Sequence, residues 1–189
     1  MKHIAASACR VMPWKNGGGT TAEIYVAGRD PSAFDWRVSI AAVAGDGPFS
    51  RFAGYDRHIM TIEGSGMVLE GGPEGPIVVA PAFTPCRFSG DWQITARLID
   101  GPSRDFNLMA RSDSHQSGLS VQMPSGPEDY AAGDGWLLIH VLAGELSSEG
   151  GTTLRQGDSV ILEPGEGLRL SPRDDARLAL CRVVPRGRQ

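Results

Sequence analysis

The sequence predicts an all-β protein built of many short strands, on three observations. Glycine (25) and proline (13) supply about a fifth of the 189 residues and interrupt the apolar runs at close intervals. The runs between them alternate apolar and polar with a period of two. No segment holds the 3.6-residue apolar period of an amphipathic helix over a helical length. Short alternating strands joined by glycine-rich turns imply a sandwich or a barrel.

The strands are expected in the following order. TAEIYVAG (21–28) alternates and ends on a glycine. FDWRVSIAAV (34–43) puts Trp36, Val38 and Ile40 on one face and Asp35, Arg37 and Ser39 on the other. RHIMTIEG (57–64) and GMVLEG (66–71) form two runs divided by a Gly-Ser-Gly turn, and WQITARLID (92–100) and DFNLMAR (105–111) follow, rich in Ile, Leu, Thr and aromatics. In the second half GWLLIHVLAGEL (135–146), DSVILEPG (158–165) and LRLSP (168–172) have the same length, composition and turn-residue boundaries.

The text also repeats. IMTIEGSGMVLEGG (59–72) parallels LIHVLAGELSSEGG (138–151); Gly64 and Gly144 lie 80 positions apart, as do Ala96-Arg97-Leu98 and Ala176-Arg177-Leu178. An internal duplication of one β unit is expected, with the polar stretch RSDSHQSG (111–118) as the seam, dividing the chain into 1–112 and 113–189. TLRQGDSVILEPGEGLRLSP (153–172) carries a Gly-Asp turn, an apolar strand, a Pro-Gly turn and another strand. That text resembles the second motif of the cupin barrel, which implies a double cupin of two jelly-roll halves.

Composition excludes several classes of function. With 18 basic and 22 acidic residues the net charge is −4, contrary to what a nucleic-acid or anionic-membrane surface needs. Nothing nears the roughly 18 consecutive apolar residues of a membrane span. Cys9, Cys86 and Cys181 are odd in number and far apart, which suits a reducing compartment, and a cytoplasmic protein is expected. Many cupins hold a metal through an HxH pair, a carboxylate and a later histidine. Here His3, His58, His115 and His140 are scattered, and Arg169 stands where the second motif supplies a histidine. His58 and His140 read as packing residues. No metal and no cofactor are expected.

One stretch asks for more than packing. WKNGGGTTAE (14–23) sets Trp14, Lys15 and Asn16 against three glycines, which are costly to order. Gly17, Gly19 and Ala22 satisfy a dinucleotide-binding spacing, but the residues after them alternate as a strand where that fingerprint needs a helix. A Walker loop needs its Lys after the glycines, and Lys15 precedes them. Two readings stay open: a concave nest of Gly17, Gly18 and Gly19 amides that takes an anion beside Lys15 and Asn16, or a glycine bulge that lets strands cross closely. Other polar residues fall on faces that a barrel turns inward: Glu23; Arg37 and Ser39; Phe49 and Arg57 in GPFSRFAGYDRH (47–58); and Asp105 and Asn107. Arg37 and Arg57 are the candidates for a carboxylate ligand, because the guanidinium fork matches its geometry.

WKNGGGTTAEI, FDWRVSIAAV, GPFSRFAGYDRHIMTIEGSGMVL and FSGDWQITARLIDGPSRDFNLMAR together resemble the HutD/Ves family, in the right order over most of positions 12–111. The resemblance implies a bicupin without the usual metal ligands. HutD-type members accompany bacterial histidine-degradation genes and are thought to bind an intermediate such as urocanate or N-formylglutamate; Ves-type members are described as stress-inducible. No catalytic residue carries over. The resemblance favours a pocket at WKNGGG for a small anionic metabolite. The expected function is a non-enzymatic accessory or regulatory protein of histidine degradation. The alternatives are a metal-independent isomerase or lyase using Glu23, Asp105 or His58 as base, and a homodimeric interaction module.

Overall fold

The computed structural model describes residues 1–14, 17–28, 30 and 33–187. After β1 (Lys2–Ile4) come β2 (Arg10–Pro13), β3 (Gly19–Ala27), β4 (Trp36–Val43), β5 (Gly47–Pro48), β6 (Tyr55–Glu63), β7 (Met67–Glu70), β8 (Ile77–Val79), β9 (Cys86–Ser89), β10 (Thr95–Leu98) and β11 (Ser103–Arg111). The rest are β12 (His115–Gln122), β13 (Glu128–Ala131), β14 (Trp136–Ala143), β15 (Glu145–Ser148), β16 (Thr153–Arg155), β17 (Ser159–Leu162), β18 (Gly167–Pro172) and β19 (Arg177–Pro185). The one helical element among the described residues is a single 3-10 turn at Ala6–Ala8, so the all-β expectation holds.

The chain divides into two compact units, Arg10–His115 and a second that joins Met1–Cys9 to Gln116–Gln189. The later seam falls three residues past the expected 112. The expectation that residues 1–112 form one unit is corrected at its start. Lys2–Ile4 pairs antiparallel with β17, Lys2 opposite Ile161 and Ile4 opposite Ser159, so the first nine residues belong with the C-terminal unit. The physical reason is the open ladder of β17, whose outer N–H and C=O groups β1 satisfies.

In the unit Arg10–His115, a six-stranded antiparallel sheet runs β2-β3-β4-β11-β6-β9 and a four-stranded sheet runs β5-β10-β7-β8. Val43, Ile59 and Phe88 of the larger sheet pack with Met67, Leu69, Val79 and Ala96 of the smaller one. Complete burial of each large apolar chain contributes ~2 kcal/mol. Along β4, Trp36 and Val38 are buried on one face, as the alternation predicts. The other face, however, is not solvated: Ser39 is 3% exposed and is followed by the core residues Ala41 and Val43. One face of this sheet therefore changes from apolar at one end to polar at the other while staying inside.

The other unit holds a sheet in the order β1-β17-β14-β19-β12 and a second in the order β13-β18-β15-β16. Eight strands earlier, the Arg10–His115 unit has β9-β6-β11-β4 and β5-β10-β7-β8, the same order shifted by eight. The core joins Leu137, Ile139 and Val141 of β14 to Leu146, Leu162, Leu170 and Leu178. In the cupin-like text, the two expected turns fall at Gly157 (φ +90°) and Gly165 (φ +82°), a region that glycine enters without Cβ strain. His140 is buried here, its Nδ1 2.8 Å from Ser159 Oγ, which makes it a satisfied packing histidine.

Candidate functional site

The register of the six-stranded sheet gathers the polar residues. Because directly opposed residues share a face, the pairing β4–β11–β6 creates three rows. The first aligns Arg37, Met109 and Arg57, and continues to Phe88 on β9. The second aligns Ser39, Asn107 and Ile59; the third aligns Ala41, Asp105 and Thr61. Residues 37 to 109 are thus brought together by strand pairing alone. No local motif encodes them.

At the polar end of this face lies a cavity of about 570 Å³, lined by Arg37, Ser39, Arg57, Asn107 and Met109 from the sheet, by Met12, Pro13, Trp14 and Thr21 from β2–β3, and by Phe49, Ser50 and Phe52 from the loop before β6. Its charge is all positive, since no carboxylate is among the lining residues. Arg57 is only 5% exposed; its Nη1 donates to the Ser50 carbonyl at 3.0 Å. Arg37 Nη2 reaches the thioether of Met109, a weak acceptor, at 3.6 Å. The Nε of each arginine is buried and has no hydrogen-bond partner among the described residues.

Aromatic rings take the place of counter-charges. The Arg37 guanidinium lies 5.0 Å from the Phe34 ring centre and 5.1 Å from that of Phe52. The Arg57 guanidinium lies 4.8 Å from Phe88, 5.2 Å from Phe49 and 5.4 Å from Phe52. Burial first, then the charge of Arg37, pushes the Arg57 pKa down to about 9 against the pull of Asp105, leaving it charged at neutral pH. Burial likewise lowers Arg37, opposed by Glu23 and Tyr55. Two cations are thus held beside one pocket with N–H groups that no described residue uses.

Asp105 lies two residues from Asn107 on the same face but does not line the cavity. It is completely buried, its Oδ1 accepting from Ser103 Oγ at 3.3 Å and its Oδ2 having no partner among the described residues. Burial raises its pKa to about 7, with the Ser103 bond and Arg57 acting the other way. Asn107 Nδ2 donates to the Asp105 carbonyl at 3.4 Å, which leaves its Oδ1 free to accept.

The sequence expectations meet this geometry unevenly. Trp14, Arg37, Ser39, Phe49, Arg57 and Asn107 all line the cavity; Glu23 and Asp105 act on it only through their charge on the arginines. Lys15 and Asn16 lie outside the described residues. Gly17, Gly18 and Gly19 are not among the residues that line this cavity. Gly17 N–H donates to the Trp14 carbonyl at 3.1 Å, and Gly17 and Gly19 line a separate cavity beside Glu63 and Arg104. The glycines instead permit close approach: a Cβ on Gly19 would sit 2.2 Å from the Ala42 carbonyl oxygen and 3.1 Å from the Trp14 ring. That contact seats Trp14 against the strand, where its Nε1 donates to Thr21 Oγ1 at 2.8 Å. Gly19 therefore gives the Trp14 wall of the site its close seat on the strand. Phe52, Thr21, Ser50 and Met109 also line the cavity; the aromatic spacing FSRF (49–52) beside Arg57 was the one available signal for Phe52.

Among the described residues, no group of three or more His, Cys, Asp and Glu stands close enough to hold a metal ion, so the side chains do not fit the metal centre of other cupins. Arg169, at the histidine position of the second motif, pairs with Asp129 at 2.6 Å on the surface. No helix among the described residues is long and apolar enough to cross a membrane.

Comparison with known proteins agrees with this architecture. A protein of Pseudomonas putida described as an uncharacterized 21.2 kDa protein in the hutC 3′ region is 42% identical over 111 residues, 57% of each chain. Protein Ves of Citrobacter koseri is 40% identical over 123 residues, 59% of this chain and 60% of the relative. The chain thus spans just under three fifths of the curated relatives it matches. Two solved structures align over nearly the whole chain. A conserved protein of unknown function from Pseudomonas aeruginosa has 32% identity and a TM-score of 0.86 over 97% of this chain and 98% of that one. HutD from Pseudomonas fluorescens, in a formate condition, has 35% identity and a TM-score of 0.82 over 98% and 99%. At 9% identity, oxalate decarboxylase of Bacillus subtilis shares the fold alone, with a TM-score of 0.67 over all of this chain and 78% of that one. A family model described as HutD matches residues 6–180, and the chain belongs to the HutD family.

Proposed function

We propose that the cavity between Arg37 and Arg57 binds a small carboxylate, and that the protein serves as a non-enzymatic accessory or regulatory component of histidine degradation. A single observation carries this reading: the buried Arg57 and the half-buried Arg37 share one row of the sheet, the Nε–H of each has no hydrogen-bond partner among the described residues, and the cavity lining contains no carboxylate. Arginines away from bulk water are commonly matched by acids, and a small carboxylate would supply the match that the lining lacks. Trp14, Phe49 and Phe52 supply apolar walls for a planar body, and Asn107 an acceptor. The hutC neighbourhood of the P. putida relative supports the link to histidine degradation. Urocanate and N-formylglutamate are the candidate ligands.

Calorimetric titration of both acids tests the proposal. Binding should weaken about 30- to 100-fold in Arg57→Ala, the loss of hydrogen bonds to a charged group. The absence of heat with either acid, or equal binding by the variant, contradicts it. One observation favours a second reading, a metal-independent isomerase or lyase: Asp105 is a buried carboxyl with a pKa near 7, suited to proton transfer. Product formation followed by NMR distinguishes it: no turnover of either acid eliminates this reading, and turnover that survives Asp105→Asn removes Asp105 as the base.

A further inference from the structure

Asn107 stands on the inward face of β11, about 7 Å along the strand from the row that holds the two arginines. Its neighbours in its own row are Ser39 on β4 and Ile59 on β6. It is only 4% exposed, yet it lines the cavity, so the little surface it keeps faces that space. The amide is held by its nitrogen. Nδ2 donates to the Asp105 carbonyl at 3.4 Å, and the reversed amide would set two oxygens against each other there. Oδ1 has no hydrogen-bond partner among the described residues, and unlike Asp105 Oδ2 it is not sealed away from the cavity. The other polar side chains of the lining differ in kind. Trp14, Arg37 and Arg57 can only donate, and the hydroxyls of Thr21, Ser39 and Ser50 turn to donate or accept. Among the described lining residues, Asn107 Oδ1 is the one strong side-chain acceptor that is fixed as such.

We infer that Asn107 sets a second requirement on the ligand of this cavity: besides its carboxylate, the ligand brings an N–H donor to Asn107 Oδ1. The inference rests on the carboxylate-receptor reading and goes beyond it, from charge to the rest of the ligand. A buried amide that is only half paired costs the fold, and a ligand with a donor supplies the missing bond. A ligand that displaces water from Oδ1 without offering a donor bears the desolvation of that oxygen and gains nothing in return. An ether or ester oxygen in the same place adds the repulsion of two acceptors. A site built to pair with an N–H therefore rejects the analogue that lacks it, and rejects it more strongly than a hydroxyl-lined site, whose groups can turn. Both candidate acids meet the requirement, urocanate through its ring N–H and N-formylglutamate through its formamide N–H.

Hippurate and benzoyloxyacetate test this directly: the two carboxylates differ only in an N–H replaced by an oxygen. NMR titration of the wild-type protein should give hippurate an advantage of about tenfold. In Asn107→Leu, which removes the acceptor, the two acids should bind within about twofold of each other, with the loss falling on hippurate. Asn107→Ala carries the same expectation and serves if the leucine variant does not fold. Equal binding of the two acids by the wild type overturns the inference without any variant, while the carboxylate receptor stands. A full preference for hippurate that survives in Asn107→Leu or Asn107→Ala overturns it too. If the wild type binds neither acid, the receptor reading fails and takes the inference with it.

Discussion

Replacing Asp105 by asparagine should remove a large pH dependence of stability. The carboxyl is wholly buried, and Oδ2 has no partner among the described residues. The groups that face it are Ser103 on its own strand, Thr61 on β6, Ala41 on β4 and, farther along the sheet, the charged Arg57. Burial raises the pKa from an ordinary 3.8 to about 7, which corresponds to ~4 kcal/mol. Because the folded-state value lies above the unfolded one, the native state holds the extra proton between them. This group's contribution is therefore fully present below pH 4, falls by ~1.4 kcal/mol per pH unit, and is gone above pH 7. Asparagine keeps the shape of the neutral acid and does not titrate. Urea unfolding at intervals from pH 4 to 8, by tryptophan fluorescence, yields the difference between wild type and Asp105→Asn. Groups common to both proteins cancel. The difference should shift by several kcal/mol in favour of the variant as pH rises, with its steepest part between pH 4 and 7. Parallel profiles for the two proteins would refute the reasoning.

Four further substitutions probe other parts of the account. Gly19→Ala drives a Cβ to 2.2 Å from the Ala42 oxygen and should cost about 3 kcal/mol, whereas Gly17→Ala meets nothing within 4 Å and should cost only the ~1 kcal/mol of its φ of +72°; chemical denaturation of the pair compares them. Gly90→Ala should displace the Phe52 carbonyl, lowering thermal stability and weakening carboxylate binding together, as a melting curve and a calorimetric titration will register. Arg37→Met removes one of two like charges that share a buried pocket; it should raise stability by about 1 kcal/mol, or ~3 °C in melting temperature, while binding is lost. A loss of stability in that variant would mean that Arg37 serves the fold.

Much of the fold was legible because strand periodicity is local. GDSVILEPGEGLRLSP shows its turn residues at Gly157 and Gly165 and its buried strand Ser159–Leu162 between them, as the pattern predicts. Arg37 and Arg57 were legible as candidate carboxylate ligands from side-chain chemistry, and strand parity placed each on an inward face. That they stand in one row, joined by Met109, depends on the registers of β4–β11 and β11–β6, which no local pattern fixes. The glycine run was the harder case. Three glycines announce an unusual backbone but do not say which way their amides point; here the Trp14 carbonyl takes the Gly17 N–H, and the missing side chains give room to the Ala42 carbonyl and the indole. Phe52 escaped because it sits in an aperiodic loop, where its importance comes from two arginines on distant strands. The place of β1 in the C-terminal unit was hidden for the same reason: a three-residue edge strand carries almost no pattern of its own.

The central claim is that Arg37 and Arg57 jointly hold a carboxylate through their unpartnered Nε–H groups. The most direct measurement follows the two arginine Nε–H resonances by ¹H–¹⁵N NMR, assigned through Arg37→Lys and Arg57→Lys, while N-formylglutamate is added. Both signals should move downfield and saturate at one common ligand concentration, as a shared acceptor requires. Signals that stay in place while the acid binds elsewhere, or that respond at different concentrations, would contradict the account.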